Sequence, residues 1–374
     1  MFEKSSPYTP IDYLELLLEE AALNGTKRRE RYPQKRFFGY FCSYWPEELI
    51  LAAGLEPLRI LPTTTRGTPS ELPAYCCSLA RISLAGAISG NYKDLAGTGF
   101  AHTCDTMQCL GGIWGRTLAP GTALSMVPPV ILNTPAADRF YESELDALLQ
   151  KLSSITGCRP DANKIGKAIE LCEHIRSLVA ELDNMRAELP SPLVSALLRA
   201  GQVMPRTEYA EALKAALPAI REKTASNPSH RRILISGPVL ENDSLFKMVE
   251  ELGGRIVADD TCTGNHHFLT MSDIQYGTDP LKAIVRRYST MPPCPCRHRG
   301  LEERVDYLVK LAQGRQAVGA LLVVRKYCDP HAWDSVPLAQ RMRSAGINTL
   351  VLELERAEVG GQERTRLQAF LESL

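Results

Sequence analysis

The chain has 374 residues, 44% hydrophobic and 23% charged, a composition typical of a globular protein with two or three domains. Lysine and arginine together number 43, as do aspartate and glutamate, so the formal net charge is zero. No basic field favours nucleic acid, and no long uncharged apolar run predicts a membrane-spanning helix. The N-terminus lacks a signal-peptide pattern, so we expect a cytoplasmic protein.

The predicted elements begin with an N-terminal helical segment over residues 1–35. It holds an amphipathic stretch, 11–22, and a basic stretch, 27–31, which we interpret as a solvated helix end and linker. Short apolar runs then alternate with helical patterns over residues 36–136, which predicts a first α/β domain with a parallel sheet. Its predicted strands are 37–41, 57–61, 95–101 and 125–132, and its predicted helices are 46–54, 77–89 and 105–114.

Apolar residues recur at helical spacing over residues 137–228, which predicts a helical segment with no strand. Alternation returns over residues 229–374 and predicts a second α/β domain. Its predicted strands are 232–237, 254–260, 317–327 and 347–354, and its predicted helices are 243–252, 280–288, 301–313 and 363–374.

Eleven cysteines are many for a cytoplasmic chain, where structural disulfides are disfavoured. Cys158 and Cys172 lie in helical stretches and are interpreted as small buried residues. Cys77, Cys104 and Cys328 instead stand where a strand gives way to a helix or where a helix begins. Ligands gather at the carboxyl ends of parallel strands, and helix N-termini stabilise thiolates. The three cysteines therefore suit a shared anionic metal cluster, with a buried free cysteine as the plain alternative for each.

Other motifs are less specific. Cys294 and Cys296 form a C-x-C pair that either binds metal or belongs to a structural loop near the core, and we favour the loop. Cys262 precedes His266 and His267, but no fourth ligand for a zinc site is evident. The P-loop, the G-x-G-x-x-G loop and the G-x-S-x-G elbow are absent from the sequence. NTP hydrolysis, hydride transfer and serine hydrolysis therefore lack their usual motifs.

Eight short motifs occur in an order that resembles the 2-hydroxyacyl-CoA dehydratase / benzoyl-CoA reductase family. They are YFCSYWPEELILAAGLEPLRI, CSLARISLAGAISGNYKDL, HTCDTMQ, ISGPVLEN, VADDTCTG, RYSTMPPCPC, RKYCDPHAWD and GGQERTRLQAFLE. The resemblance runs from about residue 36 to 374. It implies two Rossmann-like or flavodoxin-like parallel-sheet domains with helical N-terminal and central segments.

The resemblance also implies a [4Fe–4S] cluster on three cysteines. The matching positions are Cys77 in C-S-x-A-R, Cys104 in T-C-D and Cys328 in K-x-C-D-P-H, with Cys76 an alternative one position away. Members of the family pair two homologous subunits and receive low-potential electrons from an ATP-dependent iron–sulfur activator. The implied function is that of a dehydratase or ring-reductase component that passes an electron to an acyl-CoA thioester.

Further hypotheses concern the surroundings of this cluster. Arg81, Lys326 and His331 are predicted to lie near it as hydrogen-bond donors, with ordinary surface or ion-pair roles as the alternative. Candidate positions for a base are Glu47, Glu48 and His102. One alternative function is a small-molecule reductase with a double-cubane cluster, which would use further cysteines from among Cys42, Cys109, Cys294 and Cys296. The other is a non-catalytic partner subunit that retains the fold.

Overall fold

The computed structural model describes residues 8–23, 25–62, 69–118, 121–132, 134–224, 230–269, 279–296 and 300–374. The first seven residues of the predicted N-terminal segment and the end of the motif MPPCPCRHR lie outside the described residues. The described strands are β1 Phe37–Tyr40, β2 Glu56–Arg59, β3 Gly97–Ala101, β4 Ala123–Met126, β5 Arg231–Gly237, β6 Gly254–Thr261, β7 Gly319–Arg325 and β8 Asn348–Leu354.

The helices of the first half and the central segment are α1 Pro10–Ala22, α2 Gly25–Arg31, α3 Glu47–Ala52, α4 Ser78–Ile88, α5 Asp105–Thr117, α6 Pro135–Thr156, α7 Ala162–Asn184, α8 Ser191–Val203 and α9 Arg206–Arg221. Those of the second half are α10 Ser244–Glu251, α11 Asn265–Phe268, α12 Pro280–Thr290, α13 Leu301–Gly314, α14 Asp329–Ser344 and α15 Gly361–Glu372.

Both sheets are parallel and have four strands each in the described residues. The first has the order β2-β1-β3-β4 and the second the order β6-β5-β7-β8. Each sheet therefore follows the flavodoxin-like order, in which the second strand pairs outside the first and the third on the other side. Strands β1, β3, β6 and β7 are buried on both faces, as is typical of parallel sheets covered by helices. The predicted fold class is confirmed.

Helices cover both faces of each sheet. One face of the first sheet is covered by α6 and α7 together with α12 from the second half of the chain, and the other face is covered by α4 and α5. In the central segment, α1 packs against α8 and α9 to form a separate helical core. The domain boundaries predicted from the sequence stay a prediction. In the described part of the chain, no helix is both long and apolar enough to span a membrane.

One local prediction was wrong, and a second holds except at one residue. The strand predicted over 125–132 ends at Met126, because Pro128 and Pro129 have no N–H groups to continue the ladder. Val130 and Ile131 beyond them are exposed. The basic stretch 27–31 ends α2 and is exposed as predicted, except at Arg28. Arg28 is buried and donates from Nη2 to the carbonyl of Leu23 at 2.9 Å.

The close packing of β3 yields a stability prediction. A Cβ atom on Gly99 would overlap the indole of Trp45, which is fully buried. Gly99→Ala is therefore expected to lower the free energy of unfolding by about 1–3 kcal/mol through overpacking. At Gly112, in α5, an added Cβ meets nothing within 4 Å, so Gly112→Ala is expected to raise it by about 0.5–1 kcal/mol. Urea unfolding of both variants measures the two free energies of unfolding. Equal changes in the two variants would contradict the predicted overlap between a Cβ atom at position 99 and Trp45.

Candidate functional site

The three predicted cysteines occupy the same local position in three different helices. Cys77 is the N-cap of α4, Cys104 the N-cap of α5 and Cys328 the N-cap of α14. Cys104 follows β3 and Cys328 follows β7, so both lie at the carboxyl end of a parallel sheet. Each sulfur stands at the positive end of a helix dipole, which favours a thiolate.

The three thiols lie close together in a largely apolar pocket. Cys77 is buried, and Cys104 and Cys328 are half-buried against the same hydrophobic cluster. The walls of that cluster are mainly large side chains: Phe41, Ile60, Leu84, Phe100, Met107, Leu110 and Trp114. The structure thus brings together two cysteines of the first half of the chain and one of the second.

Burial dominates the acid–base behaviour of these thiols. It raises the pKa of Cys77, that of Cys104 to about 11 and that of Cys328 to about 12. The Cys77 thiol adds to the rise at both other cysteines, since neighbouring negative charges disfavour one another. Opposing the rise are backbone N–H groups three residues further along each helix, those of Ala80, Met107 and His331. Without a cation, the group is held as neutral thiols at neutral pH.

The adjacent cysteines 76 and 77 have different neighbours. The Cys77 thiol interacts with those of Cys104 and Cys328. The Cys76 thiol interacts with Thr106, Cys109 and Arg81. The structure therefore groups Cys77 with the other two predicted cysteines.

The three predicted neighbours of the site are placed differently. His331 lies with its Nδ1 atom 3.3 Å from Sγ of Cys328, and burial lowers its pKa to about 3, so the imidazole is neutral. Arg81 donates from Nε to the carbonyl of Cys76 at 3.0 Å. Lys326 pairs with Glu355, with Nζ 3.3 Å from Oε2, in a solvent-accessible position.

Arg325, which sequence reasoning missed, lies closer to the site than Lys326. It ends β7 and is only 1% exposed, and its guanidinium lowers the pKa of the Cys77 thiol. It is paired with Glu241, yet its Nε and Nη1 atoms have no hydrogen-bond partner in the part of the chain that the structure describes. A buried guanidinium with two unpartnered nitrogens favours a further negative charge beside it.

These observations test whether an iron–sulfur cluster fits. Three thiols at helix N-termini, an apolar wall and an incompletely paired buried cation form a donor set suited to an anionic cluster. In the described ranges, no three His, Cys, Asp or Glu side chains are arranged to hold one metal ion. A cluster differs from such a site because its thiolates bind separate irons.

A second group of thiols lies beside Cys104. Cys294 and Cys296 hydrogen-bond to each other, and both interact with Cys42. Cys262 joins them through its interactions with Cys42 and Cys294. The C-x-C loop packs against a hydrophobic core, in agreement with the loop interpretation.

The remaining cysteines are scattered. Cys172 is buried in α7 as predicted, but Cys158 is exposed, so the prediction of burial was wrong. The reason is that α6 ends at Gly157, whose φ of 78° only glycine adopts readily, leaving Cys158 in the following loop. Cys109 is exposed, on the outer side of α5. All eleven cysteines are free thiols.

Glu47 and Glu48, two candidate bases, belong to buried ion pairs. Arg206 Nε donates to Oε2 of Glu47 at 2.9 Å, and Arg176 Nη2 donates to Oε1 of Glu48 at 2.5 Å. Burial alone would raise the pKa of Glu47, but Arg206 and then His267 outweigh it and hold that pKa well below its usual range. Both carboxylates therefore stabilise the joint between α3 and the central helices.

His267 makes stability depend on pH. Burial lowers its pKa to about 4, below the ordinary value near 6.5. The unfolded chain binds this proton below about pH 6.5, whereas the folded chain binds it only near pH 4. Its contribution to stability is thus complete above pH 6.5 and is lost as the pH falls.

In urea unfolding between pH 7 and pH 4.5, the free energy of unfolding of His267→Gln is expected to depend less steeply on pH than that of the wild type. The exposed His174→Gln is the control, and an unchanged slope for His267→Gln would contradict the assignment.

A cavity of about 870 Å³ borders the hydrophobic cluster against which the thiols pack, although none of the described cysteines lines it. Glu241, the partner of Arg325, lines it, and Ile60, Tyr92 and Leu95 belong both to its wall and to the hydrophobic cluster around the cysteines. Its volume is within the range of small-molecule sites.

Comparison with known sequences decides the family. The family model described as 2-hydroxyglutaryl-CoA dehydratase, D-component, matches residues 42–374, nearly the whole chain. The chain belongs to this family. The match contains all three cysteines, strands β2 to β4 of the first sheet and the whole second sheet. It confirms the family predicted from the motifs.

Relatives in the D-component family match over almost their full length. The chain is 24% identical over 355 residues to the beta subunit of (R)-phenyllactyl-CoA dehydratase from Clostridium sporogenes, covering 93% of this chain and 94% of that protein. It is 24% identical to the beta subunit of lactoyl-CoA dehydratase from Anaerotignum propionicum (96% and 97% covered) and 25% identical to a benzoyl-CoA reductase subunit from Thauera aromatica (87% and 88% covered). These relatives are dehydratase and reductase subunits, the enzyme class that the sequence predicts.

Proposed function

We propose that this chain is the iron–sulfur subunit of a 2-hydroxyacyl-CoA dehydratase or a benzoyl-CoA reductase, and that it passes a low-potential electron to an acyl-CoA thioester. Cys77, Cys104 and Cys328 would bind a [4Fe–4S] cluster. The observation that carries the proposal is the meeting of these three N-cap cysteines, from both halves of the chain, in one pocket.

The residues of the chain supply three things to such a site. The helix N-termini hold the thiolates, since their N–H groups favour the charged sulfur. Aromatic and aliphatic walls, including Phe100 and Trp114, keep water from the sulfurs. The neutral imidazole of His331 lies against Cys328, where it can orient that sulfur. The bound cluster would supply one-electron chemistry at low potential, which the amino-acid side chains lack.

Substrate and partners follow from the names of the relatives. Two of them are beta subunits of dehydratases and the third is one of the subunits of a reductase, which supports assembly with a homologous second subunit. Their names also support an acyl-CoA substrate, and the 870 Å³ cavity that borders the hydrophobic cluster around the thiols would have room for part of such a thioester. An ATP-dependent iron–sulfur activator would be the electron donor.

A second candidate has one observation in its favour. Cys42, Cys294 and Cys296 lie beside Cys104, so additional thiols that could bind a larger cluster are close to the site. A homodimeric reductase carrying a double-cubane cluster would use them. The exposed Cys109 is not part of this group and faces Cys76.

Anaerobic purification followed by iron and sulfide analysis tests these proposals. About four irons per chain support an iron–sulfur protein of either kind, because about eight irons shared across a dimer are also about four per chain. The oligomeric state then separates the two candidates: a homodimer with about eight irons supports the double-cubane reductase, and a chain that pairs with a different subunit supports the dehydratase or reductase. The absence of iron would support a non-catalytic partner subunit and overturn the proposal. Co-expression with a second subunit, followed by assay with 2-hydroxyacyl-CoA thioesters and benzoyl-CoA under a chemical reductant, separates dehydration from ring reduction.

A further inference from the structure

We propose that Arg325 is a positioning residue whose buried charge sets the reduction potential of the group bound by Cys77, Cys104 and Cys328. This inference rests on the proposed function and adds the residue that tunes it. The guanidinium stays with the protein and does not react.

The first support is the incomplete pairing of this side chain. Arg325 is 1% exposed, and its Nη2 atom donates to the Glu241 carboxylate and, at 3.4 Å, to the Val239 carbonyl. Its Nε and Nη1 atoms have no partner among the described residues, where the other incompletely paired buried arginines each leave one nitrogen unpartnered. A buried donor without a partner destabilises the fold, and a charged one does so more strongly, so this geometry favours an anion on the open side.

Arg206, another buried arginine, has more complete hydrogen bonding than Arg325. The carboxylate of Glu47 engages two nitrogens of Arg206, and a third donates to the Met204 carbonyl at 2.7 Å. Arg206 is thus satisfied within the fold, whereas Arg325 is not. The pKa of Glu241 is raised because burial outweighs the attraction of Arg325, whereas that of Glu47 is held low. The partner of Arg325 therefore compensates its charge less completely.

The second support is the position of Arg325 at the strand end next to Cys328. Arg325 ends β7 three residues before this cysteine, so its buried side chain starts from the carboxyl edge of the sheet at which the cysteine stands. Its carbonyl accepts a hydrogen bond from the N–H of Cys328 at 2.9 Å, which closes the turn between β7 and α14. Within this turn Tyr327 adopts a φ of 64°, a left-handed conformation that is strained for a tyrosine. Arg325 thus combines a buried charge at this edge with the backbone contact that positions Cys328.

The consequence is electrostatic. Reduction adds one negative charge to the bound group, and a buried cation stabilises the more negative state. Removing the positive charge of Arg325 makes reduction harder and shifts the potential to more negative values. Removing the negative charge of Glu241 is expected to shift the potential to less negative values.

The test compares reduction potentials in the full chain, loaded anaerobically with iron and sulfide and titrated with dithionite under electron paramagnetic resonance. Arg325→Met is expected to keep its iron and to show a more negative midpoint potential, while Arg325→Lys stays near wild type. Arg255→Met is the matched control: Arg255 is also buried and paired with a glutamate, Glu250, but lies at the amino end of β6. Its potential is expected to be unchanged.

Glu241→Gln keeps the inference testable if Arg325→Met does not fold, because it is expected to shift the potential to less negative values. A wild-type potential in iron-loaded Arg325→Met, or in Glu241→Gln when that is the variant available, would overturn the inference and leave the proposed function standing. Iron missing from the wild-type chain would overturn both.

Discussion

Cys328→Ala is expected to lower the iron content of the anaerobically purified chain from about four atoms to nearly none. The visible absorption band of the cluster should disappear with the iron. Cys328 is the one member of the thiol group that comes from the second half of the chain, at the N-cap of α14. Its removal leaves two thiols on one side of the pocket, which is too few to retain the proposed cluster. Iron analysis and absorption spectra of wild type and variant provide the measurement.

Two controls make this result specific. Cys158→Ser changes an exposed cysteine in the loop after α6 and should leave the iron content unchanged. Cys76→Ala and Cys77→Ala form a matched pair at adjacent positions, and only Cys77→Ala should lose iron, because the thiol of Cys77 faces the other two. Retention of iron and of the absorption band in Cys328→Ala would show that the cluster assignment is wrong.

Arg206→Met is expected to lower the free energy of unfolding by about 3–5 kcal/mol, the cost of leaving a buried charge without its partner. Arg206 is 1% exposed and binds both carboxylate oxygens of Glu47, joining α9 to α3. Without the guanidinium, Glu47 stays buried beside the Tyr40 hydroxyl and His267. Chemical denaturation followed by circular dichroism measures the loss.

The same helix provides the control. Arg221, at the end of α9, pairs with Glu181 in an exposed position, and Arg221→Met should cost no more than about 1 kcal/mol. Adding Glu47→Gln to Arg206→Met should restore part of the lost stability, because it removes the uncompensated charge. If the Arg206 and Arg221 variants were equally stable, the buried network would not be what joins α9 to α3.

Much of the fold was predictable because buried parallel strands are short apolar runs that contrast with the helices between them. The limits of the elements were harder to predict. Val130 and Ile131 are as apolar as any strand residue, and only the two preceding prolines end the ladder before them. Gly157 ends α6 through a left-handed conformation, which a helical hydrophobic pattern does not reveal.

The cysteines of the candidate site were predictable for a similar reason. The junction of a strand and a helix is visible in the sequence, and the topology of a parallel sheet brings such junctions to one edge. Arg325 was not predictable in this way. It is followed by Lys326, and two adjacent cationic residues at the end of a strand are normally predicted to be exposed. Only the packing of the folded chain shows that Arg325 is buried and paired with Glu241, while Lys326 pairs with the exposed Glu355.

The matching strand orders of the two sheets have a mechanical consequence. Cys104 and Cys328 follow the third strand of their respective sheets, so they are equivalent points of two similar units. A cluster bound to both is a cross-link between distant parts of the chain, and it restricts the unfolded chain as any closed loop does. Oxygen that destroys the cluster would therefore remove an electron carrier and a tie between the two halves in the same event.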